Sequence, residues 1–295
     1  MKKKALWKDI FKEMGKSKTR FLSIFIIITL GVAFFAGIKA TGPDMIDTAD
    51  QYYNETNLMD TKVVSTYGLN DDDKTVLESI AGADVTMSYS QDVILENSSL
   101  VAKLVSYSLT EETTQNNYVV KSGRLPEKTG EIALDNKSSM TDAYKIGDTV
   151  TLSSEDEETN LEDSFATTTF KVVGFVNSSQ YIENSARGTS TVGKGTVDGF
   201  AVIPEEDFTV EFYTEAYLSF EQNDSLVSYS PEYEDNVENQ MKQIEKVVEQ
   251  RPEERLAEIR SEAQAKIDDG QAEIDDAKQQ LVDGQKKLDE AKATL

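Results

Sequence analysis

The sequence predicts an α+β protein with an apolar helix near its N-terminus and a long coiled-coil helix at its C-terminal end. Three observations lead to this fold class: an uncharged run at 21–38, short β-rich segments over about 85–220, and a heptad pattern after Pro252. Apolar residues make up 38% of the 295 residues, which is enough for a folded core. The predicted domains are 1–20, an amphipathic helix; 21–40, a transmembrane helix; 41–232, an extracytoplasmic domain; and 233–295, a helical arm.

Composition excludes several classes of function. The chain has 54 acidic and 30 basic residues, a formal net charge of −24, and this argues against a nucleic-acid partner. It has no His and no Cys, which excludes Ser-His-Asp triads, thiolate nucleophiles and His or Cys metal sites. We therefore expect no enzymatic activity in this chain, no cofactor and no metal.

The first twenty residues predict a basic amphipathic helix on the inner membrane surface. They carry eight basic and two acidic residues. Apolar side chains recur at helical spacing while Lys residues occupy the other faces, and Gly15 is expected to break the helix. The helix is either a lipid-surface anchor or a coupling helix that contacts a cytoplasmic partner. The proposed coupling residues are Trp7, Ile10, Phe11 and Met14.

The run at 21–38 predicts a transmembrane helix. Its eighteen uncharged residues cover about 27 Å, close to the roughly 30 Å hydrocarbon core. The basic flank predicts a cytoplasmic N-terminus, with residues 41 onward outside the cell membrane. The alternative is a cleaved signal peptide, whose apolar core is usually about 7–15 residues long. The membrane-facing residues are Phe21, Ile24, Phe25, Ile28, Phe34, Phe35 and Ile38.

The region 41–232 predicts a domain of short strands. Asp71 is expected to N-cap a helix over 72–80, which Gly82 ends. The acidic stretch at 153–169, with Glu155, Asp156, Glu157 and Glu158, predicts a surface loop. Strands are predicted at 85–95, 100–109, 118–120, 131–134, 149–152, 170–176, 199–203 and 216–220, with a turn at 123–126.

The segment GTSTVGKG at 188–195 resembles a phosphate-binding loop only superficially. Such a loop needs a Ser or Thr directly after its Lys, and Gly195 occupies that position here. We expect a flexible Gly-rich loop. Carboxylate pairs are abundant, but no spacing singles out two that could act together, so an extracellular hydrolase is the weakest alternative.

The C-terminal region predicts a helix from Tyr233 to Gln250 and, after an interruption at Pro252, a second helix with a coiled-coil seam. Segments 267–280 and 281–294 repeat each other with a period of two heptads. Large residues alternate with small ones along the seam: Ile267, Gly270, Ile274, Ala277, Leu281, Gly284, Leu288 and Ala291. The pattern stops at Leu295 in mid-repeat. We expect a fragment whose chain returns as an antiparallel helix, or else a parallel homodimer.

Three stretches resemble the N-terminal part of an FtsX/MacB-like ABC-transporter permease, of the large Gram-positive type with a coiled-coil insertion. The first is the amphipathic helix and span at 6–45. The second is the order SGRLPEKTGEIALDNKSS, YKIGDTVTL and FKVVGFV at 122–139, 144–152 and 170–176, similar to the MacB-like extracytoplasmic core domain. The third is the DG-spaced helical repeat.

This resemblance implies a permease subunit that transmits ATP-driven movement across the membrane, in export, peptide-antibiotic resistance or cell-envelope processes. It implies a separate cytoplasmic ATPase subunit and, as further partners, a second permease copy or an extracellular cell-wall protein. The family offers no catalytic residues to carry over. The alternative function is a single-span surface stalk that dimerises through its coiled coil.

Overall fold

The computed structural model of the chain describes residues 2–110, 115–154, 160–183, 185 and 187–293. Mixed helices and strands confirm the α+β class, and the chain forms two compact units, Met1–Glu55 with Leu226–Tyr233 and Thr56–Ser225 with Glu234–Leu295. The helices are α1 Lys2–Lys16, α2 Lys18–Thr56, α3 Asp71–Glu78, α4 Ser138–Ala143, α5 Pro231–Val248 and α6 Arg251–Ala293. The strands are β1 Thr61–Leu69, β2 Ala83–Ser88, β3 Ser90–Leu95, β4 Leu100–Tyr107, β5 Val119–Gly123, β6 Glu131–Asp135, β7 Thr149–Ser153, β8 Thr169–Asn177, β9 Gly199–Pro204 and β10 Tyr213–Phe220.

A bend at Ser17 separates α1 from α2. The Ser17 amide donates to the Glu13 carbonyl at 3.2 Å, and the Phe21 amide donates to the Ser17 carbonyl at 3.0 Å. Helical hydrogen bonds therefore continue through the bend. The predicted break between the amphipathic helix and the span is present, but it lies two residues after Gly15, which is inside α1. A glycine costs a helix only about 1 kcal/mol relative to alanine, which is not enough to end it.

Helix α2 continues well beyond the apolar run. It has 39 residues, a length of about 59 Å, and it is long and apolar enough to cross a membrane. Pro43 lies inside it, although the Gly42-Pro43 pair is typical of a helix end. The Thr41 hydroxyl donates to the Gly37 carbonyl at 2.9 Å, one of several side-chain bonds along this part of the helix.

Two sheets make up the domain between α2 and α5. The smaller sheet has the antiparallel order β1–β10–β2, and we call it, with α3 and the part of α5 that packs on it, the small lobe. Its core includes Leu77 of α3, Leu218 and Phe220 of β10, and Ile244 of α5. Alternate residues of β10 thus face the helices, as a half-buried strand requires.

The larger sheet closes into a barrel. Its order is β5–β8–β6–β9–β4–β3–β7, and β7 also pairs with β8, so six strands form a closed ring that β5 extends. Closure removes free sheet edges from these strands. The interior is filled by apolar side chains from every wall, among them Val93, Leu104, Leu134, Phe170 and Ile203.

The strand predictions were right in position, with one structural error. The segment predicted as one strand at 85–95 is two strands, β2 in the small lobe and β3 in the barrel, with Tyr89 between them. The prediction also missed β1 and α4. Strand β1 gives a weak signal because Val64 and Tyr67 are exposed, so its pattern does not resemble a half-buried strand.

The N-cap of α3 is Asn70, so the assignment to Asp71 was wrong by one residue. The Asn70 side chain accepts from the Asp73 amide at 3.0 Å, and the Asp73 carboxylate accepts from the Asn70 amide at 2.9 Å. This reciprocal pair is a capping box, and it requires the residue three positions after the cap to be acidic or amidic. Asn70 and Asp73 have that spacing, whereas Asp71 is followed three positions later by Lys74.

The interruption before Pro252 is confirmed. Helix α5 ends at Val248 and α6 begins at Arg251, which places Pro252 in the first turn, where a missing backbone donor costs little. The 188–195 segment is a Gly-rich loop, as predicted. At its base the Val197 amide donates to the Gly188 carbonyl at 3.0 Å, and Thr189 bridges to Thr196. The acidic run Glu155–Glu158 lies outside the described residues.

Candidate coupling and docking surfaces

Helix α1 presents an exposed apolar face. Phe11 is 64% exposed and Trp7 59%, and their ring centroids lie 6.1 Å apart. Leu6 and Ile10 are also exposed, whereas Met14 is half-buried. The proposed coupling residues therefore lie on one face, which carries two neighbouring aromatic rings. Such a face can enter a lipid interface or bind a groove of a partner.

No side chain of the apolar stretch of α2 is buried. The residues that were predicted to face the membrane are all exposed: Phe21, Ile24, Phe25, Ile28, Phe34, Phe35 and Ile38. In water this much uncovered apolar surface would be strongly unfavourable. The surface is the one that a bilayer or further membrane helices would cover.

Beyond the apolar stretch, α2 is bonded to the segment 226–233, which we call the return segment. The Ser228 amide donates to the Asp50 carboxylate at 2.7 Å. The hydroxyls of Tyr53 and Tyr229 lie 2.7 Å apart in a hydrogen bond, and their rings are 6.1 Å apart. The return segment leads directly into α5, so these bonds connect the membrane helix with the start of the arm helices. No local pattern predicts this connection, since the two tyrosines are 176 positions apart in the chain.

Glu215 of β10 lies at the junction of the two sheets. Its carboxylate accepts from Lys103 of β4 at 2.9 Å, from Lys62 of β1 at 3.3 Å and from the Ser90 hydroxyl at 3.0 Å. The Tyr217 hydroxyl also donates to it, at 2.8 Å. Residues from both sheets thus share one buried carboxylate. We call these five residues the junction cluster.

The electrostatics of the junction cluster follow from its partners. Burial alone would raise the pKa of Glu215, but the charges of Lys103 and Lys62 and the hydrogen bonds outweigh it and lower the pKa to about 2. Burial likewise opposes the charge on Lys103, and Glu215 reverses this and raises the pKa of Lys103. The Glu215 carboxylate and the Lys103 ammonium group therefore stay ionised at neutral pH.

Tyr89 marks the point where the chain crosses from the small lobe to the barrel. Its ring stacks on Tyr213 at 4.8 Å and on Phe208 at 5.4 Å, and Phe208 contacts Phe165 at 5.2 Å. Burial is the main cause that raises the pKa of Tyr89 to about 12, so its hydroxyl stays neutral. The aromatic stack and the junction cluster together join the two sheets.

The base of α6 is attached to the capping box of α3. Arg251 donates to the Asp73 carboxylate at 2.7 Å and to the Asn70 side chain at 3.3 Å. The side-chain NH2 group of Asn70 donates to the Glu258 carboxylate at 3.2 Å, and the Arg255 guanidinium donates to the same carboxylate at 3.1 Å. The residues that cap α3 therefore also fix the first two turns of α6.

After these turns the seam of α6 is exposed. Ile267 is 64% exposed, Ile274 52% and Leu281 74%, while Ala277 and Gly284 are also exposed and Gly270 is half-buried. The side chains of Leu288 and Ala291 lie outside the described part of the structure. Among the described residues, no group of three acidic side chains could hold a metal ion.

No family model and no curated protein matches the chain. Among solved structures it is similar to the extracellular domain of the noncanonic ABC-type transporter YknZ from Gram-positive bacteria, with 10% sequence identity and a TM-score of 0.32. The match covers 59% of this chain and 80% of that chain.

Proposed function

We propose that the chain is the first span and outer domain of an ABC-transporter permease, and that it transmits ATP-driven movement from the cytoplasm to the outer domain and arm. The observation that carries this proposal is the connection between α1, α2 and the return segment. The sequence resemblance to FtsX/MacB-like permeases supports it independently. ATP hydrolysis belongs to a separate cytoplasmic subunit, which α1 contacts.

The first step is the transfer of movement from α1 to α2. The apolar face around Trp7 and Phe11 is the contact surface for the ATPase subunit. Because hydrogen bonds continue through Ser17, a displacement of α1 changes the position of α2 instead of being lost in a flexible linker. Coupling of this kind needs a contiguous physical connection between elements, which the bonds at the bend supply.

The second step is the transfer from α2 to the arm helices. The extension of α2 past Ala40 is helical, so it moves with the membrane-spanning part. Asp50 and Tyr53 pass this movement to Ser228 and Tyr229, directly before α5. Such a system serves export, peptide-antibiotic resistance or another cell-envelope process. Its outer partner is a second permease copy or a cell-wall protein.

The test compares two variants of α1 that each add one negative charge, one on the apolar face and one on the opposite side. Phe11→Asp places a charge on the apolar face, whereas Ala5→Asp adds the same charge on the side of the helix opposite to that face. Each variant of the full-length protein is purified from the membrane of its native cell. The vanadate-sensitive ATP hydrolysis that copurifies with it is then measured. Ala5→Asp should retain the activity of the wild type.

We expect Phe11→Asp to lose at least about tenfold in accompanying ATP hydrolysis, the equivalent of about 1.4 kcal/mol in ATPase binding. Unchanged far-UV circular dichroism would show that the outer domain remains folded. Equal hydrolysis with Phe11→Asp and Ala5→Asp would contradict the coupling role. A wild-type preparation without such hydrolysis would contradict the permease function.

The exposed seam of α6 favours one alternative, a single-span surface stalk that dimerises through its coiled coil. A stalk needs no ATPase, and its dimer joins two parallel arms. The absence of ATP hydrolysis together with parallel crosslinks would support the stalk.

A further inference from the structure

The seam of α6 has an unusual distribution of side-chain size. Ile274 and Leu281 occupy a positions of the heptad, and Gly270, Ala277 and Gly284 occupy the d positions between and beside them. A methyl group built at Gly270 or Gly284 would contact nothing within 4 Å. The seam therefore presents large exposed knobs that alternate with open, shallow positions.

A parallel pair of such helices would pack poorly. In a parallel coiled coil each a position faces the same a position and each d faces the same d. Leu281 would face the partner's Leu281, and Gly284 would face the partner's Gly284. Wide layers would then alternate with empty ones, and an unfilled layer loses the contacts that stabilise a packed interface.

An antiparallel pair packs evenly. Reversing one helix places a positions opposite d positions, so each layer combines one large and one small residue. Ile274 faces the partner's Gly284 and Ala277 faces the partner's Leu281, and the two-fold axis generates the same two layers again. All four central layers have similar volume, and the small residues let the helix axes approach closely.

We infer that the arm binds the arm of a second copy of this chain as an antiparallel coiled coil centred between Ala277 and Leu281. The occupant is a second copy because the seam is complementary in size to its own reversed sequence. This pairing is independent of the permease assignment, since it uses only the seam of α6.

Charges beside the seam fit the same arrangement. In an antiparallel pair the g positions of one helix face the g positions of the other, which brings Glu273 to the partner's Lys287 twice in each dimer. Lys278 approaches the partner's Lys278 on the other side, but it is held by Asp275 of its own helix at 3.2 Å. A parallel pair would also bring Glu273 to the partner's Lys278, so the orientation follows from the sizes of the seam residues and not from these charges.

The test uses the absence of cysteine from the chain, which allows single-cysteine variants without background. The variants of the full chain in its membrane are treated with a short bis-maleimide crosslinker. Gln280→Cys lies at a g position next to the two-fold axis and should crosslink to itself. Gln279→Cys is the matched control, since its f position faces away from the partner. Ile267→Cys reports parallel pairing, because antiparallel arms separate the two copies of residue 267 by about 36 Å.

We expect dimers from Gln280→Cys, and from a mixture of Glu273→Cys and Lys287→Cys, at least about tenfold above the Gln279→Cys control. Dimers from Ile267→Cys instead would overturn the antiparallel arrangement. Monomers from every variant would overturn the second copy as occupant and would indicate a helix of the same longer chain on the seam.

A further variant has opposite effects in the two arrangements. Gly284→Leu removes a helix-weakening glycine, so it does not threaten folding of α6. In the antiparallel pair the new side chain collides with the partner's Ile274 and should reduce crosslinking through Gln280→Cys several-fold. An increase in crosslinking would contradict the antiparallel layers.

Discussion

Glu215 is a carboxylate that the fold has removed from water, and two ammonium groups compensate for that loss. Its side chain is 4% exposed, whereas those of Lys103 and Lys62 are 24% and 32% exposed. Removing one member of such a cluster leaves the others without a partner, which is more costly than never having formed the pair. The junction cluster therefore constrains how the two sheets meet.

The lowered pKa of Glu215 predicts acid sensitivity in a defined window. The unfolded chain takes up a proton near pH 4.5, whereas the folded chain resists until about pH 2. The contribution of Glu215 to the free energy of unfolding is therefore fully present above about pH 4.5 and is lost as the pH falls towards 2. Glu131, whose pKa Arg124 lowers to about 2 through their hydrogen bonds, adds to the same window.

The variant Glu215→Gln tests this prediction. It should lower the free energy of unfolding by about 2–3 kcal/mol at pH 7 and make little difference at pH 2, where the wild-type carboxylate becomes protonated. Urea unfolding of the full chain in detergent across this pH range measures the effect. The matched control is Glu221→Gln, at an exposed position after the end of β10. A constant difference between pH 7 and pH 2 would contradict the electrostatic role.

At the scale of elements, the base of α6 depends on α3. The Arg251 side chain is 14% exposed and Asp73 7%, so this pair is worth more than a surface salt bridge. The capping box remains when the arginine is removed, because Asn70 and Asp73 complete it themselves. Loss of Arg251 should therefore release α6 without unfolding α3.

We predict that Arg251→Ala increases amide hydrogen exchange in residues 251–259 about tenfold or more, as expected for about 1.5–3 kcal/mol of lost local stability. Exchange in α3 should change much less. Arg260→Ala is the control, because Arg260 is exposed and removal of its side chain leaves the contacts of Arg251 intact. Equal exchange in the two variants would show that the base of α6 is held by other contacts.

Several elements were predictable from sequence because their signals are local. The apolar run of α2, the strands of the barrel and the break before Pro252 depend on neighbouring residues. The error at 85–95 has a physical cause, which is that local patterns do not report long-range partners. This segment stays β-rich throughout, and nothing local shows that Tyr89 changes sheets.

The candidate surfaces divide in the same way. The apolar face of α1 and the seam of α6 follow from helical periodicity, and the structure places both on exposed faces. The junction cluster could not be predicted, since Lys62, Lys103 and Glu215 come from three strands that only the sheet pairing brings together. The bonds between α2 and the return segment were missed for the same reason.

At the scale of the whole molecule, the proposed topology makes a direct prediction. In this proposed topology, which follows from the basic N-terminal flank, residues 1–20 lie in the cytoplasm and the domain after α2 lies outside. Because the chain has no cysteine, Lys16→Cys and Asp142→Cys report the two sides cleanly. In intact cells, a membrane-impermeant maleimide should label Asp142→Cys, and Lys16→Cys should react only after permeabilisation. Labelling of both residues in intact cells would contradict a membrane-spanning α2.

The hydrogen bonds between α2 and the return segment also bear on how such a protein can evolve. Asp50 and Tyr53 lie beside Ser228 and Tyr229, so the polypeptide departs for residues 56–225 and comes back at neighbouring points. Insertions are tolerated best where their two ends are close together. The two ends of residues 56–225 therefore lie where an insertion requires them, but a replacement domain would also have to supply the surfaces that Ile244 of α5 and Arg251 of α6 contact.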